Sequence, residues 1–145
     1  APRGGLTRDD WQRWSQHDSS LEERGVSSQL DSWIERLNSA LAEVGRPFAH
    51  RTHQAIRAYV ANYPEESVAE ALHHAVADQV EQRILPKLRG LDPTEPSVGR
   101  AIGEIQDVVK ELGDELLGKS IDDASMPGRP QFLWQGVDRQ PEDGA

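Results

Sequence analysis

The sequence predicts an all-α protein, a small bundle of about five helices with an irregular C-terminal arm. Three observations predict this fold. Apolar residues recur at steps of three and four along much of the chain, which is the period of a helix with one buried side. No strand-turn-helix alternation occurs, so an α/β sheet is not indicated. Glycine and proline stand where one helical pattern stops and the next begins.

Composition limits the functions that the chain can have. It contains 145 residues, which is the length of one domain, and 36% of them are hydrophobic. The formal net charge is −9, so we expect no direct binding of nucleic acid, whose phosphates require lysine and arginine. No apolar run approaches the roughly 20 residues of a membrane span, and residues 1–20 lack a signal-peptide core. The absence of cysteine suits a cytoplasmic protein.

The first half of the chain predicts three helices. A capping-box variant at Thr7 would begin a short helix that carries Trp11 and Trp14. Ser27 or Ser28 would cap the next helix, and Gly45 would follow its end in the left-handed conformation. The apolar positions of this second helix are Leu30, Trp33, Ile34, Leu37, Leu41 and Val44. We expect Thr52 to cap a third helix, which residues 62–64 end because Pro64 disfavours helical geometry before it.

The second half predicts two longer helices and a tail. Residues 65–85 carry an apolar residue at every fourth position, and Pro86 would stop this helix. Residues 98–116 show spacings of 4-3-4-3-4, a seam of the coiled-coil type that is more typical of a domain core than of a partner interface. From Lys119 onward proline and glycine become frequent. We therefore expect a helical domain over residues 1–118 and a partly disordered Pro/Gly-rich arm over 119–145, in which Trp134 marks a docking point for a partner.

Few residues stand out for chemistry. The chain has no phosphate loop of the form GxxxxGK[ST], no GxGxxG and no HExxH. His50 and His53 have the spacing of two metal ligands, but no third ligand lies near them, and two surface imidazoles are the simpler interpretation. Arg51 follows a turn that contains Gly45, Pro47 and Phe48, at the mouth of a helix. A guanidinium held there suits reaching a phosphate on a facing domain, whereas the plain alternative is a surface arginine paired with an acid.

Residues 37–90 also resemble a known family. The segments LNSAL at 37–41, GRPFAHR at 45–51 and IRAYV at 56–60 resemble the pattern LNxxL…GxxFxxR…IxxYV. The segment that ends in ILPKLRG at 84–90 resembles the family run dQxxxQkiLPKLxG. Both patterns are similar to the end of the AAA+ module in the GTPase subunit of 5-methylcytosine-specific restriction systems. The resemblance covers roughly residues 7–117, and the Lys119–Ala145 tail departs from it.

The resemblance implies a helical lid that follows an α/β nucleotide-binding core. Arg51 would match the sensor-2 arginine, which reads the γ-phosphate of ATP or GTP bound with Mg²⁺. His50, where relatives often carry tyrosine, and Lys87 and Arg89 are possible supporting residues. The implied partners are the AAA+ core, neighbouring subunits of a ring and a nuclease subunit. Because the chain lacks the core motifs and begins at Ala1 without a methionine, we expect a fragment or a separated lid that is inactive alone.

A different class of function remains open from the residues. A free-standing helical module could bind a protein partner through the 98–116 seam or through Trp134, without any nucleotide. Arg51 and the LPKLRG run distinguish the two hypotheses, because the interaction module gives neither of them a role. An enzyme active by itself is the weakest hypothesis, since no convergent set of catalytic groups can be placed.

Overall fold

The computed structural model describes residues 26–63, 68–126 and 131–137, and this part of the chain is helical without strands. Its α-helices are α1 (Ser27–Glu43), α2 (His50–Ala61), α3 (Val68–Gln79), α4 (Pro96–Leu112) and α5 (Glu115–Ala124). The predicted all-α bundle is therefore confirmed. The expected helix with Trp11 and Trp14 lies outside the described residues. Among those described, no helix combines the length and apolar character needed to cross a bilayer.

Helix α1 is the central element of the bundle. Its predicted apolar positions form the buried side, and Trp33 is only 3% exposed. Side chains on its flank pair with α4 in reverse order along the chain, from Glu43 with Arg100 to Trp33 with Glu111. Helices α1 and α4 are therefore antiparallel. Burial of such side chains supplies roughly 1.5–3 kcal/mol each and is the main source of cohesion between the two helices.

Helix α2 packs against α3, as the apolar pattern after Thr52 requires. Ile56 and Val60 are buried, and the Tyr59 hydroxyl donates a hydrogen bond to the Asp78 carboxylate at 2.8 Å. Burial, followed by this hydrogen bond, raises the pKa of Tyr59 to about 12. The Tyr59 hydroxyl therefore stays protonated near neutral pH and keeps donating between the two helices.

Two helix starts differ from the predicted caps. Helix α1 begins at Ser27 after Val26, and no side chain caps it. Helix α2 begins at His50 after Ala49, two residues before the predicted cap Thr52. The Ala49 carbonyl already accepts the Thr52 amide at 2.9 Å, so Thr52 lies inside the helix. Gly45 does follow α1 with φ +76°, as predicted.

The end of α3 is less regular than predicted. The α-helix stops at Gln79 and continues as a π-helical turn over Val80–Ile84 and a 3₁₀ turn over Leu85–Leu88. Pro86 has no amide hydrogen, so a regular α-helix cannot continue through it. The change in helical geometry keeps the apolar side chains on the core side. Those fully buried in this segment are Val80, Ile84, Leu85 and Leu88.

Helical structure extends past residue 118, the predicted end of the helical domain. Helix α4 ends at Leu112, because Gly113 adopts a left-handed conformation with φ +75°. Asp114 then caps a separate helix by accepting the Leu117 amide at 3.1 Å. Helix α5 runs to Ala124 and buries Leu117 and Ile121 against α4. Leu116, the last residue of the predicted seam, is 50% exposed, whereas the earlier seam residues are core.

Residues 131–137 form an extended arm that belongs to the core. Phe132 is fully buried and Trp134 is 5% exposed, with stacked rings whose centroids lie 6.4 Å apart. The Phe132 amide donates to the Leu91 carbonyl at 2.6 Å, and the Gly90 amide donates to the Phe132 carbonyl at 3.1 Å. The backbone of residues 132–137 forms neither helix nor strand.

Four side chains form a polar network on the surface between α1 and α4. Arg36 bonds Glu104 at 2.9 Å and Glu111 at 2.8 Å, while the Trp33 indole N–H donates to Glu111 at 3.0 Å. The Trp33 hydrogen bond and then Arg36 lower the pKa of Glu111 below its ordinary value of 4.5. Because these charged groups are partly exposed, each pair contributes only about 0.2–1 kcal/mol.

Replacing Phe132 tests whether the arm is part of the folded core. We expect Phe132→Ala to lower the free energy of unfolding by about 3–5 kcal/mol, since a buried ring would leave a cavity. The measurement is urea unfolding followed by circular dichroism. Leu133→Ala is the matched control, because the neighbouring Leu133 is 39% exposed and should cost less than about 1 kcal/mol. Equal effects of the two variants would contradict the docked arm.

Acidification tests the Glu111 network. A carboxylate with a lowered pKa in the folded state contributes stability above its unfolded pKa, and this contribution is lost as pH falls through the folded value. We therefore expect the difference in unfolding free energy between the wild type and Glu111→Gln to shrink from about pH 5 to about pH 3. Urea titrations across that range measure it. Glu35→Gln, at an exposed α1 position, removes a carboxylate without breaking this network. A constant difference for Glu111→Gln would contradict the assigned pKa direction.

Candidate functional site

The candidate site is the start of α2, where Arg51 lies. The turn before it is held on the α1 side by three hydrogen bonds that backbone amides donate. The Gly45 and Arg46 amides donate to carbonyls at the end of α1, at 3.0 and 2.9 Å. The Phe48 amide donates to the Asn38 side-chain oxygen at 2.8 Å, and the Phe48 ring is buried. The LNxxL and GxxF segments therefore meet as a single rigid turn, which fixes the direction in which α2 begins.

Arg51 projects from the first turn of α2 into solvent. It is exposed, and within residues 26–63, 68–126 and 131–137 its side chain has no hydrogen-bond or ion-pair partner. The first turn of α2 contains no acidic residue, and no side chain caps it. The partial positive charge of the helix start and the guanidinium therefore add to one another. An anion of another molecule or domain is the natural partner for this arrangement.

Asp31 of α1 is an acid in contact with α2, but it is engaged by residues other than Arg51. It accepts a hydrogen bond from Arg57 Nη1 and lies 3.3 Å from the His53 ring nitrogen. The pairing of an arginine with an acid, the plain alternative for Arg51, is made here by Arg57, whose side chain is only 11% exposed. This leaves the Arg51 charge uncompensated by the described side chains.

The histidines do not form a metal site within the described part of the chain. His50 is exposed, and its ring centroid lies 6.1 Å from that of His53. No group of three potential ligands among the described histidine, aspartate and glutamate residues could hold a metal ion. His50 therefore stands beside Arg51 as a second polar side chain at the helix start.

Arg46 brings the two halves of the family-like pattern together. Its Nη1 donates to the carbonyl oxygens of Lys87 at 2.8 Å and of Arg89 at 3.0 Å. The LPKLRG run therefore lies against the turn that leads to Arg51. The sequence carries no signal for this contact, because its partners are backbone carbonyls 41 and 43 residues away.

Lys87 and Arg89, the possible supporting residues, differ in their side-chain contacts. Arg89 Nε donates to the Trp134 carbonyl at 3.2 Å, so this guanidinium holds the arm. The Lys87 ammonium makes no ion pair with a described residue, and its side chain is half-buried. The Lys87 ammonium thus lies near the turn without a described counter-charge, whereas the Arg89 guanidinium binds the arm.

The two surfaces expected to bind a protein partner are used inside the chain. The Trp134 ring, the predicted docking point for a partner, is buried against its own chain. The seam residues from Val98 to Leu112 are also buried, mainly against α1 and α5. An interaction module would therefore need a surface other than these two.

An open groove lies between α4 and α5, and its described lining carries no catalytic set. Its polar lining consists of amide, carboxylate and lysine side chains on the exposed sides of both helices, among them Gln106, Lys110 and Asp122. Gln106 donates to Asp122 at 2.6 Å, so part of this lining is paired. No nucleophile activated by a base is found among these residues.

Comparison with known proteins identifies a family. No curated protein and no solved structure matches the chain. A family profile described as Domain of unknown function (DUF8727) matches residues 7–123. The match ends one residue before the last residue of α5, so it contains α1 to α4 and nearly all of α5, and it leaves out the arm. Since it spans well over half of the sequence, the chain belongs to the DUF8727 family.

Proposed function

We propose that this chain is the helical lid of an AAA+ NTPase of a restriction or defence system, and that Arg51 contacts the nucleotide phosphates. The observation that carries the proposal is the position of Arg51. It is exposed, lacks a partner among the described residues and stands at a helix start behind a turn held by hydrogen bonds. The resemblance of residues 37–90 to the lid of the GTPase subunit of 5-methylcytosine-specific systems supports the same role.

Two features of this helix start would stabilise a bound phosphate. The guanidinium offers two parallel N–H donors, which match the geometry of phosphate oxygens. The free amides of the first turn add the positive end of the helix dipole. Fixed donors of this kind stabilise a transferring phosphoryl group most when charge builds up on its oxygens. Arg51 would thus assist hydrolysis and also report whether the γ-phosphate is present.

The remaining parts of the nucleotide site would come from the core domain. The phosphate loop, the acidic strand end that holds Mg²⁺ and sensor 1 have no counterpart in this sequence. The described residues also offer no cluster that would hold the metal ion. ATP or GTP with Mg²⁺ would therefore bind mainly to the core, and this chain alone would hydrolyse neither.

The proposal also names the partners of the lid. They are the AAA+ core, the neighbouring subunits of a ring and a nuclease subunit. A net charge of −9 disfavours direct contact with DNA, so target recognition would belong to other domains of the complex. Restriction acts on DNA inside the cell, and a cytoplasmic location follows from the proposal.

Substitution of Arg51 in the complete NTPase tests the proposal. We expect Arg51→Ala to lower the turnover number about 100-fold or more, since one fixed donor to the transition state is lost. The unfolding free energy should change by less than about 0.5 kcal/mol, because the side chain is exposed. Steady-state phosphate release and urea unfolding measure the two quantities on the same preparations.

Arg100→Ala is the matched control for this experiment. Arg100 is also an exposed arginine, with a 3.4 Å ion pair to Glu43, and it lies on α4. We expect its variant to keep normal turnover. An unchanged turnover number in Arg51→Ala would refute the sensor role. The DNA upstream of the Ala1 codon gives an independent check, because an in-frame phosphate-loop sequence there would join this lid to a nucleotide-binding core.

A further inference from the structure

A chain of hydrogen bonds joins the C-terminal arm to the turn in front of α2. Its first link is the double contact of Arg46 with the carbonyls of Lys87 and Arg89. Its second link is Arg89 itself, whose side chain donates to the Trp134 carbonyl. Gly90, the next residue, exchanges backbone hydrogen bonds with the arm together with Leu91. The segment 87–91 is thus bonded to the turn on one side and to the arm on the other.

Arg46 suits this joining position by its chemistry. A single guanidinium nitrogen reaches two carbonyl oxygens at the end of the LPKLRG run, at 2.8 and 3.0 Å. The same residue is fixed through its own amide, which donates to the Leu41 carbonyl at 2.9 Å. A displacement of the 87–91 segment would therefore move Arg46, whose backbone is part of the turn.

The turn connects Arg46 directly to the start of α2. Only Pro47, Phe48 and Ala49 separate Arg46 from His50, and Phe48 is anchored by burial and by Asn38. The Ala49 carbonyl accepts the Thr52 and His53 amides at 2.9 and 3.3 Å, so it closes the first turn of the helix. Any rotation of this short connection changes where Arg51 points.

The structure shows the arm docked, and its release is the change that would drive this coupling. When docked, it buries Phe132 and Trp134 and makes backbone hydrogen bonds with residues 90, 91 and 124. When undocked, it would release Gly90, which has φ +86°, and the Arg89 side chain together. Coupling between two sites requires an element with two such arrangements.

We propose that Arg46 couples docking of the C-terminal arm to the geometry of the α2 start, so that the arm positions Arg51. This coupling deepens the proposed function and rests on it for its biological use, since docking of the arm would set the contact of Arg51 with the phosphates. Arg46 is a positioning residue in this scheme and touches no nucleotide. The physical link itself is a property of the chain alone.

Amide hydrogen exchange on this chain tests the link. Phe132→Leu weakens arm docking, and we expect it to speed exchange at Gly90 and also, about fivefold, at Thr52 and His53. In the Arg46→Gln background, Phe132→Leu should still speed exchange at Gly90 but should no longer affect Thr52 and His53. A role of Arg46 in general stability alone would not remove this response. Ile105→Val, in the buried side of α4, controls for lost stability and should give the same small response in both backgrounds.

The outcomes separate this inference from the proposed function. If Thr52 and His53 do not respond to Phe132→Leu, or respond equally in both backgrounds, the coupling through Arg46 is refuted, whatever nucleotide assays show. If the response depends on Arg46, the coupling is supported. Should Arg51→Ala in the complete NTPase then leave hydrolysis unchanged, the proposed function would fail while the mechanical link would stand.

Discussion

The buried side of α1 is the constraint on which the rest of the structure depends. Helix α1 packs along α4, and its end leads into the turn that starts α2. The turn can be rigid only because α1 supplies fixed acceptors, the Leu41 carbonyl and the Asn38 side chain. Loss of apolar burial along α1 would therefore disturb the candidate site as well as the core.

Charge on the surface of this acidic chain is arranged in two ways. Between α1 and α4, carboxylates are paired with arginines and with an indole N–H, which fixes the relative position of the two helices more than it stabilises them. At the start of α2, Arg51 is left without a described counter-charge beside a helix N-terminus. Such an arrangement costs little in water and becomes favourable only when an anion arrives.

The backbone of the LPKLRG run has a structural role of its own. Its backbone supplies the carbonyls that Arg46 binds and the groups at Gly90 and Leu91 that hold the arm. Its leucines are buried beneath these contacts. The segment thus acts as the junction between the α2 turn and the arm, whether or not Lys87 assists in phosphate binding.

The sequence by itself determined the all-α class, the buried sides of α1 and α4 and the left-handed Gly45, because helical periodicity and glycine geometry are local properties. Features that depend on contacts between distant segments were decided only by the tertiary structure. Residues 119–124 contain only Ile121 as a large apolar residue, so their helix depends on packing against α4. Burial of Trp134 depends on a site formed by distant segments of the chain, and the Arg46 contacts depend on backbone carbonyls that no side-chain pattern reveals.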